Sequence, residues 1–208
     1  MVSFNDLVPR ISKQGSDERK LGRWSYVTLT GKNAIKSTFI TCYCPVISSS
    51  PGSTYSQHLL YMSENKNILH VNISCPRQLF GYDLKLMVDK LSAAGHHIIL
   101  QGDFNSEYKP LVHWMQELDL VDLMQAKLGE CPITYQRSAK YPLDCIFGDP
   151  YFKIKKGGCL SFNRLISDHR GVWCNIPNEY LYGFNPSPIY HPNARRLKTK
   201  DPRCVVRY

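Results

Sequence analysis

The sequence contains no apolar run approaching the roughly 18 residues that a membrane span requires. Its first twenty residues, MVSFNDLVPRISKQGSDERK, also lack the hydrophobic core of a secretory signal. The chain is expected to be soluble and intracellular, with no membrane partner and no obvious protein partner. Eight cysteines are present, yet no two form CxxC, and Cys42 and Cys44 make CxC instead, so the usual spacing of a zinc site is missing. Cys42, Cys145 and Cys174 lie in apolar stretches, where a free thiol packs as a small hydrophobe, and the cysteines are expected as buried thiols. No internal repeat or low-complexity tract occurs. Acidic residues are scarce, 17 against 26 Lys and Arg, and the resulting net charge of +9 favours polyanionic partners, nucleic acid first.

What is present is an ordinary globular mixture, 43% hydrophobic and 21% charged over 208 residues, enough for one domain and a tail. Residues 1–22 are polar, show no strand or helix period and are expected to be a loose lead-in. From Trp24 the pattern has period two, with RWSYVTLT and STFITCYCPV flanking the TGKN turn of Thr30 to Asn33, which predicts a hairpin. A helix should open at Ser53, with Tyr55, His58, Leu59 and Met62 on one stripe. A second should follow Pro76, with Phe80, Leu84, Met87, Val88 and Leu91 on one face and Gly95 ending it. The run HHIILQ then reads as a strand buried on both faces. A third helix places Leu111, Trp114, Met115 and Leu118 together, and LDCIF, GCLSF and GVWCNI are short strand candidates. This alternation argues an α/β domain over 23–177. The remaining 178–208, broken by Pro186, Pro188, Pro192 and Pro202, reads as a basic tail or linker.

Three motifs stand at strand ends: GDFN (Gly102 to Asn105) after HHIILQ, Asp144 at LDCIF, and SDH (Ser167 to His169) before GVWCNI. Tyr43 closes a fourth strand just before Pro45. Any one of them alone is more readily a turn or a cap. Taken in this order, the set Tyr43, Asp103, Asn105, Asp144, Asp168 and His169 resembles the endonuclease/exonuclease/phosphatase superfamily, the deoxyribonuclease I-like proteins, from about Trp24 to Ile176.

The resemblance implies a fold of two mixed β-sheets packed face to face with flanking helices, a four-layer α/β sandwich. It also implies phosphoester cleavage with a divalent metal. On it, Asp103 orients or deprotonates the attacking water, and Asn105 hydrogen-bonds a phosphate oxygen. Asp168 helps hold the metal, His169 donates to the phosphate, Asp144 orients His169, and Tyr43 contacts the scissile phosphate. Carboxylates and a hard cation suit this chemistry, and oxygen ligands suit magnesium or manganese.

The superfamily begins with two further strands carrying an Asn and a metal-binding Glu. Neither is placed by the pattern here, because Asp6, Asp17 and Glu18 follow no apolar strand, so the domain is expected to lack its first strands. LGRWSYVTLTGKN and HPNARRLKTKDPRCVVRY further resemble endonuclease domains that precede a reverse transcriptase in retroelement-derived proteins, which makes DNA the expected substrate. Two other outcomes remain open: an inactive remnant with a nucleic-acid-binding basic surface, and a phosphatase or phosphodiesterase acting on a phosphorylated lipid or inositol.

Other features carry less. His96 and His97, adjacent on a strand, point to opposite faces and cannot easily share a metal. His113 is expected at a helix surface, and the sequon at Asn72 has weight only in a secreted protein. The charge is uneven: from His191 onward six basic residues face one acidic, or +5, leaving 20 minus 16, or +4, for the rest.

Overall fold

The computed structural model describes residues 5–66, 73–137, 140–164 and 166–184. The sequon Asn72 and the tail from 185 onward lie outside them. Among the described residues, eight strands form two sheets. They are β1 (Ile11–Ser16), β2 (Trp24–Thr30), β3 (Lys36–Tyr43), β4 (His96–Asp103), β5 (Val121–Asp122), β6 (Asp144–Gly148), β7 (Lys156–Cys159) and β8 (Val172–Asn175). The helices are α1 (Thr54–Glu64), α2 (Pro76–Ala93), α3 (Tyr108–Gln116), α4 (Leu123–Leu128) and α5 (Asn178–Tyr182). The larger sheet has the order β1-β2-β3-β4-β6-β5 and is mixed, since β3 and β4 run parallel while its other pairs are antiparallel. The smaller sheet is the antiparallel pair β7-β8.

The expected HHIILQ strand shows why this sheet is central. Ile98 and Leu100 enter one core with Phe80, Leu84 and Val88 of α2 and Leu111 and Met115 of α3. Ile99, between them, enters a second core on the opposite face with Leu123, Ile146 and Phe152, against which Val172 and Cys174 of β8 pack. The alternation of side chains along one strand thus fills both interlayer spaces at once. Helices α2 and α3 cover one face, and the small sheet, α4 and α5 cover part of the other.

The hairpin β2-β3 and the three long helices form where the pattern put them. Ser53 caps α1 by accepting the Ser56 N–H at 3.2 Å. Only His58 and Met62 of its expected stripe are buried, while Leu59 faces solvent.

The structure departs from expectation at three places. The supposed lead-in contains β1, paired antiparallel with β2 from Ile11 to Ser16. An edge strand needs only backbone partners on one side, so exposed polar residues such as Lys13 and Gln14 form it without any apolar period. At the other boundary, α5 lies beyond residue 177 and packs Leu181 and Tyr182 against Val27, Leu29 and Phe39, so the packed elements overrun the expected domain at both ends. Finally, the GCLSF strand is displaced to Lys156–Cys159. Leu160 is exposed and Phe162–Arg164 form a 3-10 turn, because Gly157 and Gly158 admit close packing against Met124 and Trp173.

Candidate active site

The sheet register assembles the candidate residues. Tyr43 ends β3, its register partner Asp103 ends β4, and Asp103 pairs in turn with Asp144 at the start of antiparallel β6. Register partners project to the same side of a sheet, so three of the six candidates stand in a row across three adjacent strands. Gly102 permits this approach, because a side chain there would collide with the Cys42 carbonyl of β3, and its φ of +154° is one that L residues rarely adopt.

The GDFN turn then folds back on itself. Asn105 adopts a positive φ of 47°, its backbone N–H donates to Asp103 Oδ1 at 3.1 Å, and its side-chain amide donates to the Cys44 carbonyl at 2.9 Å. This is an Asx turn, the bland reading of the motif, and it also fixes the Asp103 carboxylate. Arg77 of α2 secures the same corner by donating to the carbonyls of Pro45 (3.2 Å) and Asn105 (2.8 Å) and to the Ser106 hydroxyl.

SDH arrives from the second sheet. The Ser167 hydroxyl accepts the His169 N–H at 3.0 Å, and His169 Nδ1 lies 2.7 Å from Asp144 Oδ2. Asp103, Asp144 and His169 each present a ligand atom within 4.8 Å of the others'. Asp168 is half-buried, and its charge also acts on His169. Tyr43 is 38% exposed at the rim.

Charge is unbalanced here. Loss of water and then the neighbouring Asp144 charge push the Asp103 carboxyl above its ordinary range, against the opposing Asn105 N–H and His169. Burial works against a charged His169, but the Asp144 hydrogen bond and the charges of Asp144, Asp103 and Asp168 outweigh it, and the net shift is upward. Asp103 and Asp144 stand within 4.8 Å of the imidazole and Asp168, outside that cluster, adds its charge, so negative charge is in excess, which is what a hard dication would neutralise. The donor set therefore fits magnesium or manganese. Among the described residues, however, no Glu joins the cluster.

Sequence reasoning missed the segment that ties SDH to β6. Thr134 is fully buried, and its hydroxyl accepts the N–H groups of Leu143 (3.0 Å) and Asp144 (2.9 Å). Its carbonyl accepts the Arg170 N–H at 2.9 Å, and Gln136 N–H donates to the Asp168 carbonyl at 2.8 Å. Tyr135 pairs with His169 in an isolated bridge, their rings 4.8 Å apart. No periodicity or motif marks these residues, and only their position shortly before LDCIF could have pointed to them. His96 and His97 behave as expected: His96 Nδ1 bonds Thr38 (2.8 Å), whereas His97 Nδ1 bonds Asp149 (3.0 Å). A cleft of about 520 Å³ adjoins the GDFN corner, lined among others by Val46, Ile47, Arg77, Trp114 and Tyr141.

No protein-family model and no curated protein matches the chain. Solved structures do. One is an endonuclease/exonuclease/phosphatase family protein from Leptotrichia buccalis, at a TM-score of 0.52 and 16% identity over 80% of this chain and 61% of that one. Another is a 3′ phosphatase from Neisseria bound to product DNA hairpin, at a TM-score of 0.52 and 17% identity over 80% and 71%. The chain thus spans less than two thirds of the first of these proteins. It has the α/β fold of the endonuclease/exonuclease/phosphatase, or deoxyribonuclease I-like, proteins. A fold hosts many chemistries, so the activity rests on the site.

Proposed function

We propose that the chain is a metal-dependent phosphoesterase acting on DNA. The observation that carries this reading is the Asp144–His169 pair at 2.7 Å, standing beside Asp103 at the end of the central strands. In this scheme Asp103 accepts a proton from the attacking water, which its desolvated carboxylate is suited to do. His169, held through Nδ1 by Asp144, presents Nε2 to a phosphate oxygen and donates as charge develops. Asn105 spends one amide hydrogen on Cys44 and turns the other to the phosphate, and the Tyr43 phenol contacts it from the rim. A magnesium or manganese ion, held by Asp168 in the field of Asp103 and Asp144, would supply further neutralisation of the phosphate. In a plasmid-nicking assay with magnesium, wild type should cut while Asp168→Ala and His169→Ala lose about 100- to 1000-fold in rate. Equal nicking by all three would reject the assignment.

Within this reading the chain is an endonuclease domain of the retroelement-derived type, the type that precedes a reverse transcriptase. The sequence resemblance of 21–33 and of the basic tail supports that branch. Genomic sequence flanking the reading frame tests this assignment. A second reading, an inactive remnant that binds nucleic acid through its basic residues, is favoured by the lack of a Glu in the described cluster. It predicts no magnesium-dependent cleavage and a DNA affinity that falls steeply with salt.

A further inference from the structure

The fold assembles a second cluster that the linear cysteine spacing conceals. Asp122 ends β5, Cys131 lies in the loop after α4, and Cys145 is the second residue of β6. Their carboxylate oxygen and two sulfurs all fall within 4.8 Å of one another. Because adjacent strand residues face opposite ways, Cys145 projects into the helix-side core while Asp144 serves the active site. The two clusters therefore sit back to back across β6.

Three properties mark this cluster as more than packed thiols. Asp122 is only 5% exposed, yet it takes part in no ion pair among the described residues. Its charge is met instead by neutral donors: the N–H groups of Met124 and Gln125 at Oδ1 (2.8 and 2.9 Å), and the Tyr108 hydroxyl at Oδ2 (2.8 Å). Those same donors fix the carboxylate's orientation, as outer partners do for metal-bound carboxylates. The 4.8 Å limit on the separations also leaves the three atoms within small side-chain movements of a tetrahedral ion. Bonds of about 2.3 Å to sulfur and 2.0 to 2.2 Å to oxygen set neighbouring ligand atoms about 3.5 to 3.8 Å apart. Cys131 is half-buried, which leaves a side through which water could complete the coordination.

We propose that Asp122, Cys131 and Cys145 form a site for a thiophilic divalent cation of the zinc class, with water as the fourth ligand. Binding makes two metal–sulfur bonds and one metal–oxygen bond and releases the two thiol protons to solvent, so uptake strengthens as pH rises. The ion would pin the 131–136 segment, and with it Thr134 and Tyr135, to β6 behind the Asp144–His169 pair. This site is independent of the proposed magnesium site, which is built from oxygen ligands.

Cobalt(II) titration of the full, reduced, chelator-treated chain tests the proposal without reference to activity. One equivalent should produce thiolate-to-cobalt charge-transfer bands and the intense visible bands of tetrahedral coordination. Cys131→Ser, at a half-buried position that folding tolerates more readily than Cys145, should weaken binding by more than about a hundredfold, beyond the 10- to 100-fold typical of outer-shell changes. Cys75→Ser and Cys174→Ser should leave the spectrum intact, and circular dichroism verifies that each variant is folded. Absent bands, or bands unchanged in folded Cys131→Ser, overturn the site. So does an intact mass two hydrogens lighter, mapped to Cys131–Cys145, in a protein that takes up no cobalt after reduction.

Discussion

Two groups of interacting charges among the described residues are built on opposite plans. At the β1–β2 turn, Arg23 binds Asp17 through two bonds of 2.6 and 2.7 Å and reaches Asp83 of α2 at 2.9 Å, while Arg19 also binds Asp83, at 2.7 Å. Two cations thus meet two carboxylates, and Arg23 and Asp17 are almost completely buried. At the far end of the central strands, Asp103 and Asp144 stand beside the single imidazole of His169, on which the charge of Asp168 also acts. The first group is balanced in charge; the second carries surplus negative charge and opens to solvent. The contrast separates a clamp from a site, because surplus charge is costly to hold unless a ligand completes it.

Substitutions should break the two groups in different ways. The largest effect on folding is expected from Asp17→Ala, which removes two of the bonds to a buried guanidinium and leaves it Asp83 alone, and should cost about 3–5 kcal/mol in a urea melt. Nicking per folded molecule should stay unchanged, and a stability loss under about 1 kcal/mol would show that water already screens the pair. Asp103→Asn should do the reverse. Its rate is expected to fall about 100-fold or more while its melting temperature holds or rises, since one of the crowded like charges is gone. Thr134→Val comes next in size. It leaves the N–H groups of Leu143 and Asp144 without their acceptor, at about 1–3 kcal/mol. Because Asp144 shifts with them, kcat should drop with little change in KM.

How much of this the sequence disclosed differs between the two groups for a physical reason. Asp103 and Asp144 were legible as candidates because each stands at the end of an apolar strand, and His169 because its motif lies shortly before another. Asp17, Arg19 and Arg23 were not, because their significance comes from Asp83, some 60 residues away on α2, and no local period encodes that contact. β1 escaped notice for a related reason: its stability is lent by β2 through backbone bonds that any side chain permits. Thr134 and the Cys131–Cys145 pair belong to the same class, their roles created by the 131–136 segment folding onto β6. The central strand and long helices, whose periods are intrinsic, were read correctly.

The smallest effect expected is on pH dependence, and it bears most directly on the contrast. In the clamp, burial raises the Asp17 pKa, but the Arg23 hydrogen bonds and charge more than reverse this, and the net shift is downward. A lowered folded pKa means stability present above the unfolded value near pH 4 and lost as pH falls through the folded one. At the site, Asp103 is shifted upward, so its contribution has the opposite sign: it favours folding in acid and is lost as pH rises through its raised folded value. His169, also raised, adds stability below its unfolded value near pH 6.5 that disappears as pH rises through its folded one. Acid therefore loosens the clamp and relaxes the site. Urea melts from neutral pH down to about pH 4 should show Asp103→Asn losing its advantage over wild type as the wild-type carboxyl takes up its proton. The rate of nicking should follow a bell, rising as Asp103 deprotonates and falling as His169 loses its proton. If the stability difference between Asp103→Asn and wild type stays flat across that range, Asp103 is not crowded by its neighbours, and the contrast between the two groups fails at its most specific point.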